Sequence, residues 1–356
     1  MNEKVVKIEE IISALTNKEG NVYFFALDTK NAPNGEVKYI YDIALALNEL
    51  GYKVTLLHQE EEYVGPLEWL GEKYSKLEVK NIKTENVVIT PCDTVFVPEV
   101  FTNVMSQIKS LPCKKVMIYY NPSYLIDYIP TGMTMADMNV YDAITTNDNL
   151  KEKLNSYFPN MNVRVVRPSI SHIFDTDDEP KKLIVNLLTP SSSETNDIIK
   201  PFFWKYPAYK WISFREMKGI TQETLAEVMR EAAITVWVDD NTNNGITALE
   251  ALKSGSILIA KTPQTPPEWM LDGGEYRFGI IWVDTYDMLH DVLASVIRGW
   301  TRDDIVEGYM KMSNEVKFAF TESSQKKDVE NFIVNGIFDD TIKTYKHLLA
   351  GEKNKK

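Results

Sequence analysis

Short runs of consecutive apolar residues alternate along this chain with longer stretches in which apolar positions recur every three or four residues. Runs at 22–26, 53–57, 87–89, 94–97, 115–119 and 141–145 predict strands buried on both faces of a parallel sheet. Between them, Val37, Ile40, Tyr41, Ala44, Leu45 and Leu47 trace one broad face of a helix over 36–50 that stops at Gly51. Further helices are predicted near 100–110 and over 147–157, the second capped by Asn147 or Asp148. Strand and helix in strict alternation give a doubly wound parallel sheet.

The pattern breaks at Phe174-Asp175-Thr176-Asp177-Asp178-Glu179-Pro180, an acidic, proline-terminated linker. It then restarts with strands at 183–188, 210–213, 234–238, 257–260 and 278–283, and helices at 197–206, 222–231 and 286–298. Residues 303–318 and 325–349 read as mainly helical. The expectation is an α/β fold of two doubly wound, Rossmann-like domains facing a cleft. The first spans 1–170 and the second 171–335, while a helix and tail over 336–356 pack back on the first. Ligands of open α/β sheets bind outside the carboxyl ends of the strands, so the site is expected there.

Composition narrows the partners. A chain of 356 residues exceeds one ordinary core, and 44% hydrophobic with 25% charged residues is usual for a soluble protein. No apolar run approaches the roughly 20 residues that span a bilayer, and the first 18 residues lack a signal core, so a cytoplasmic location is expected. Cys92 and Cys113 read as reduced core thiols. The net charge of −12 argues against a broad nucleic-acid surface. His58, His172, His290 and His347 are scattered as surface or packing residues, and no metal site is predicted. Trp204, Tyr206, Tyr209 and Trp211 are read as packing between helix and sheet.

Residues 233–260 carry the sharpest chemical signal. A buried strand, a polar loop, Gly245 and a helix start in that order build an anion site, because a helix amino end presents free N–H groups and a positive dipole end. Glu250 follows about a turn and a half later, within reach of a ribose attached to that anion.

With these motifs in place, the chain resembles the GT-B glycosyltransferases, and within them the retaining family 4. The donor motif of that family has a Glu, then Gly-Phe-Gly, and a second Glu eight places after the first. Glu250 matches the second, followed by Ala251-Leu252-Lys253-Ser254-Gly255 and the apolar run Ser256-Ile257-Leu258-Ile259-Ala260. Pro267-Glu268-Trp269-Met270 is similar to the family's Pro-Glu turn, and Asp272-Gly273-Gly274 with Gly279-Ile280-Ile281-Trp282-Val283 to its Asp-Gly segment and following strand. In the first half, Asn34-Gly35-Glu36 resembles the glycine-rich loop on the acceptor side. Val95-Phe96-Val97-Pro98-Glu99 and Tyr119-Tyr120-Asn121-Pro122 resemble cleft-facing strand ends.

The resemblance implies a hexosyltransferase-like enzyme. It would move a sugar from a UDP- or GDP-linked nucleotide sugar to an unidentified hydroxyl of a glycan or small molecule, with retention. The nucleotide sugar is a substrate, and no cofactor is implied. The implied donor residues are Thr189, Pro190, Ser191, Arg215, Thr242, Gly245, Ile246, Thr247 and Glu250; those on the acceptor side are Asn34, Gly35, Glu99 and Asn121. No catalytic residue is assigned.

The departures are specific. Thr242 stands where the first Glu would hold the donor sugar, with Asp239 and Asp240 as nearby carboxylates. Thr189-Pro190-Ser191-Ser192-Ser193-Glu194 replaces the segment that carries an Arg and a Lys for the diphosphate, leaving Arg215 or Lys218 to supply the charge. A second reading is therefore a non-catalytic GT-B protein that binds a sugar nucleotide or glycan, or supports a partner enzyme. A third, opposed by the acidic charge, is a phage-type transferase that glycosylates modified nucleic-acid bases.

Overall fold

β1 (Asn21–Phe25), β2 (Lys53–His58), β3 (Glu78–Asn81), β4 (Thr94–Pro98), β5 (Lys114–Tyr119), β6 (Asp142–Thr145) and β7 (Asn162–Val165) build one parallel sheet in the order β3-β2-β1-β4-β5-β6-β7. The computed structural model describes residues 3–29, 33–60, 63, 65–176, 180–239, 244–263, 268–270 and 280–354. Side chains alternate across the sheet with the period of two that strands impose. Phe24, Phe96, Val116, Ile118 and Ile144 face one core, where Val37, Ile40, Ile43, Ala44 and Leu47 of the Gly35–Glu49 helix cover them. Tyr23, Phe25, Val95, Val97, Met117, Tyr119 and Ala143 face the other. Phe24 and Phe96 stack on neighbouring strands with ring centroids 4.4 Å apart.

The third strand is not the expected run at 87–89. Glu78–Asn81 pairs with β2 instead, and as an edge strand it needs no apolar run. Val87 and Ile89 still pack on the second core from outside the sheet, while Val88 is exposed.

The chain divides into two compact units, one of residues 1–168 with 323–356 and one of 169–322. The return to the first unit thus begins at Ser323 rather than 336. Val329, Ile333, Ile337 and Phe338 are buried in the first core, in and around a stretch of π-helix over Val329–Phe338. The Glu3–Thr16 helix pairs with the closing Asp339–Lys353 helix through Lys4–Glu352 at 2.9 Å and Lys353–Glu9 at 2.7 Å. No helix among the described residues is long and apolar enough to cross a membrane.

In the second unit β8 (Lys182–Leu188), β9 (Ser213–Glu216), β10 (Ala232–Trp237), β11 (Ile257–Lys261) and β12 (Ile280–Val283) form a parallel sheet ordered β12-β11-β10-β8-β9. β9 begins later than expected because Pro207–Tyr209 turns as a short 3-10 segment before it. Tyr206 and Tyr209 pack on buried Phe202, but Trp204 and Trp211 are 77% and 64% exposed, so the packing expectation fails for both indoles. The helix periodicity predicted over 222–231 matches the Gln222–Glu231 helix.

Strand order reverses between β1 and β4 in the first sheet and between β8 and β10 in the second. Such reversals splay the following connections apart and leave a crevice at the carboxyl ends.

Candidate functional site

At the reversal point of the second sheet, two loops carry most of the residues expected to hold the donor. After β8 come Thr189, Pro190 and Ser191, and the Ser192–Lys205 helix follows. Ser191 closes a capping box with Glu194, a reciprocal arrangement that satisfies donors at the helix start. Thr189 shares a 2.7 Å hydrogen bond with Thr195. The hydroxyls of Ser192 and Thr195 donate to Glu216 Oε1 at 2.9 and 3.2 Å, and these bonds hold that carboxyl below its ordinary range. Lys218 Nζ lies 3.4 Å from Ser192 Oγ and 3.6 Å from Glu216. This helix end therefore already faces one carboxylate and one ammonium.

Arg215 is not with them. Its Nη2 lies 2.9 Å from Glu231 Oε2, and Glu231 is shared with Lys182 at 2.7 Å, where β8 and β10 begin. Side chains alternate along β9, so Glu216 and Arg215 leave it in different directions. Arg215 therefore points toward the amino edge of the sheet, away from the expected anion site; Lys218, two residues past the strand, lies instead at the carboxyl edge.

After β10 the chain passes Val238 and Asp239, and Thr242, with Asp240 and Asn243, lies outside the described residues. The chain resumes at Asn244, and Gly245 takes φ 58° and ψ 38°, the left-handed region where a Cβ is disfavoured. The helix then runs Ile246–Lys253. Its first internal bond joins Leu249 N to Gly245 O at 3.0 Å, so helix geometry leaves the N–H groups of 246–248, Thr247 among them, without a partner inside the helix. The Trp269 indole N–H donates to Asn244 O at 3.0 Å and ties a second loop to this turn. Pro267, Asp272, Gly273, Gly274 and Gly279 lie outside the described residues, as does the side chain of Glu268.

Glu250 is 2% exposed and accepts from Gln222 Nε2 at 3.3 Å. Gln222 opens its own helix behind the cap Thr221. The carboxyl is thus aimed by a side chain from a neighbouring helix, which no local motif announced. Gln222 and Glu216 are the additions the structure makes to this group, and of the two cations named from the sequence Lys218 is the one that stands with them.

In the first unit, Asn34 Oδ1 accepts from Glu36 N at 2.9 Å and Val37 N at 3.0 Å, so its side chain caps the helix that Gly35 begins. Asn121 likewise caps the Pro122–Tyr128 helix through Ser123 N at 3.0 Å. Glu99 follows β4 directly, and its Oε1 accepts the N–H groups of Tyr120 at 3.0 Å and Asn121 at 2.5 Å. Burial pushes its carboxyl up to about 7 against those two bonds. These four residues share the carboxyl edge near the β1–β4 reversal. His58, read from sequence as a packing or surface residue, is fully buried with Nδ1 2.5 Å from Asp28 Oδ1 and Nε2 2.9 Å from the Tyr41 hydroxyl. Asp28 also accepts from Gln59 N at 3.0 Å and Glu60 N at 2.8 Å, which pins the connection leaving β1 to the end of β2.

No protein-family model matches the chain. A curated relative, the alpha-1,6-glucosyltransferase of Actinobacillus pleuropneumoniae serotype 7 (strain AP76), is 25% identical over 251 residues, 68% of this chain and 73% of that protein. Among solved structures, the pneumococcal O-GlcNAc transferase GtfA in complex with UDP and GlcNAc superposes with a TM-score of 0.61 at 10% identity, covering 92% of this chain and 99% of that one. Sucrose-phosphate synthase from Thermosynechococcus elongatus gives a TM-score of 0.60 at 10% identity, covering 90% and 100%. Anabaena HepE in complex with UDP gives 0.60 at 9% identity, covering 89% and 100%. Two parallel sheets, their reversal points and matches over nearly the full length of such enzymes place the chain in the GT-B glycosyltransferase fold.

Proposed function

We propose that this chain is a glycosyltransferase that takes a UDP- or GDP-linked sugar through its second unit and transfers the sugar, with retention, to a hydroxyl of a glycan or small molecule. The observation that carries the reading is Glu250. It is a buried carboxyl a turn and a half inside a helix whose amino end opens at the β8–β10 reversal, oriented by Gln222. An ionised carboxylate only accepts hydrogen bonds, which suits the paired hydroxyls of a ribose. The name of the curated relative and the UDP complexes among the structural neighbours support the same direction.

The chemistry follows from charge. As the glycosidic bond to the diphosphate breaks, its electron pair stays on the leaving oxygen, and preorganised N–H donors stabilise the growing charge. The amides of Ile246 and Thr247, the Thr247 hydroxyl and the Lys218 ammonium are the groups assigned to it. With retention, the acceptor oxygen bonds the anomeric carbon on the face the diphosphate leaves, and the acceptor proton passes to the departing phosphate oxygen.

Calorimetry with UDP, GDP and UDP-glucose tests the donor assignment. Loss of charge-assisted bonds worth about 1.5–3 kcal/mol predicts that Glu250→Ala weakens nucleotide binding roughly 10- to 100-fold. Unchanged affinity would remove Glu250 from the site. Proton NMR of the released or transferred sugar reads its anomeric configuration, and an inverted product ends the retention proposal. A second reading, a GT-B protein that binds a sugar nucleotide without transferring it, draws on Glu216, a carboxylate held at the Ser192–Lys205 helix end, and on the diversion of Arg215 to Glu231. Nucleotide binding with neither hydrolysis nor transfer across a panel of acceptors would favour it.

A further inference from the structure

His58 closes β2, and its imidazole is fully buried. That one ring bonds to both flanks of the connection leading from β1 to the Gly35–Glu49 helix. Nδ1 lies 2.5 Å from Asp28 Oδ1, where the chain has just left β1. Nε2 lies 2.9 Å from the hydroxyl of Tyr41, in the second turn of the helix. Asn34 and Gly35 fall between these two attachments in the sequence.

The donors and acceptors are matched for such a clamp. Asp28 Oδ2 accepts the N–H groups of Gln59 at 3.0 Å and Glu60 at 2.8 Å, and Oδ1 takes the imidazole. Burial works to raise the Asp28 carboxyl, but the His58 bond and charge and those two N–H groups outweigh it and hold the carboxyl below its ordinary range. An ionised carboxylate only accepts hydrogen bonds, so Nδ1 carries a proton. A hydroxyl both gives and takes, so Tyr41 meets Nε2 whether or not that nitrogen is protonated. Burial first, and then the Tyr63 and Asp28 charges, raise the Tyr41 phenol, which keeps its proton. Packing fixes both rings: Tyr63 lies on His58 with centroids 4.4 Å apart, and Tyr74 meets Tyr41 edge-on at 5.9 Å. Asp42, next to Tyr41 in the helix, is engaged by Lys38 at 2.6 Å and by the Tyr74 hydroxyl. The carboxylate that holds His58 is therefore Asp28.

We propose that His58 is a positioning residue for the acceptor side of the site: by fastening Asp28 and Tyr41 together it fixes where Asn34 and Gly35 stand at the carboxyl edge of the first sheet. A fully buried ring cannot touch a substrate, so its effect passes through those residues. Asn34 transmits it directly, because its Oδ1 bonds the N–H groups of Glu36 and Val37 and moves with the helix. The role rests on the preceding functional reading, in which the first unit takes the acceptor. Every group assigned to the nucleotide lies in the second unit, so donor affinity is expected not to follow His58. A displacement of about 1 Å by a change far from the chemistry can cost up to about 100-fold, which sets the scale of the effect.

Tyr41→Phe removes one of the two bonds and keeps the ring, and His58→Phe removes both. With UDP-glucose as donor and the best of a panel of methyl hexosides as acceptor, Tyr41→Phe is expected to raise acceptor KM at least threefold and His58→Phe at least tenfold. UDP affinity by calorimetry is expected to stay within twofold of wild type in both. A smaller rise in Tyr41→Phe, or a parallel loss of UDP affinity, would overturn the role, and this variant decides alone should His58→Phe not fold. Long-range proton–nitrogen NMR spectra of the wild type read the ring without any substitution: a proton on His58 Nδ1 is expected, and a bare Nδ1 would detach Asp28 and overturn the clamp. A wild type that binds UDP but glycosylates no hexoside counts against transfer itself and takes this role with it. A wild type that transfers while both variants match it defeats the role of His58 alone.

Discussion

Glu250 and Gln222 are 28 positions apart and come from two helices of the second unit, yet their side chains meet beneath the Gly245 turn. The same residue-level logic separates the two cations near this site. Arg215→Ala is predicted to leave UDP affinity within twofold, because its guanidinium is engaged with Glu231. Its stability cost should stay within about 1 kcal/mol, as expected of a partly exposed pair. Lys218→Ala is predicted to weaken UDP binding about three- to tenfold and to flatten its dependence on salt, since the ammonium stands at the carboxyl edge with Ser192. Calorimetry at two ionic strengths reads both, and an Arg215 effect larger than that of Lys218 would reverse the assignment. Glu250 and Gly245 were legible in the sequence because strand, turn and helix start are a local order. Gln222, Glu216 and the diversion of Arg215 were not, because each depends on which side of β9, or which neighbouring helix, the chain brings close.

At the scale of elements, the ends of two helices share one ammonium. Lys181 Nζ lies 2.6 Å from Arg230 O, 3.5 Å from Met229 O and in contact with Ser254 O, at the carboxyl ends of the Gln222–Glu231 and Ile246–Lys253 helices. Cations at helix carboxyl ends are favourable, but this one is half-buried beside Arg230 and Lys317, and desolvation first lowers it from 10.5 to about 8. Between those two values the unfolded chain binds the proton and the folded chain releases it. Stability from this group is therefore absent below about pH 8 and accrues as pH rises toward 10.5, with an upper limit of about 3 kcal/mol. Urea unfolding of wild type and Lys181→Met at pH 7.5, 8.5 and 9.5 should show the difference, wild type minus variant, growing with pH. A constant or shrinking difference would contradict it. The 3.3 Å contact between Gln222 and Glu250 depends on these same two helices keeping their alignment, so the ammonium at their ends is a positioning element for the proposed nucleotide site. The sequence marked the first helix by periodicity, and Gln222–Glu231 agreed to the residue, while the order of strand, loop and Gly245 marked the start of the second. The half-buried lysine between their ends left no pattern, since Lys181-Lys182 before an apolar strand reads as surface.

For the whole molecule, the consequential feature is that the first unit is completed by the end of the chain. Residues 323–356 group with 1–168, and Ile333 is fully buried among Leu47, Val54 and their neighbours in the first core. Arg164 reinforces the closure, bonding Asp142 at 3.2 Å and Asp340 at 2.7 Å. A helical pattern over 325–349 was readable in the sequence, whereas its point of departure at Ser323 was not, because leaving one unit for the other produced no turn signal strong enough to mark it. Ile333→Ala should therefore destabilise the first unit by about 2–5 kcal/mol through lost transfer energy and the cavity left behind. The second unit, which contains the proposed nucleotide site, has a core of its own around Val185, Ile234, Ile259 and Leu293. Thermal unfolding of the variant, followed with and without UDP, is expected to show an early transition that UDP leaves in place and a later one that it raises, since a ligand stabilises only the part that binds it. Hydrogen exchange assigns the early transition: it should open peptides from 21–58 before those from 182–216. Simultaneous opening of both would mean that the chain folds as one cooperative body, and that the nucleotide site depends on the last 34 residues of the chain as much as the first sheet does.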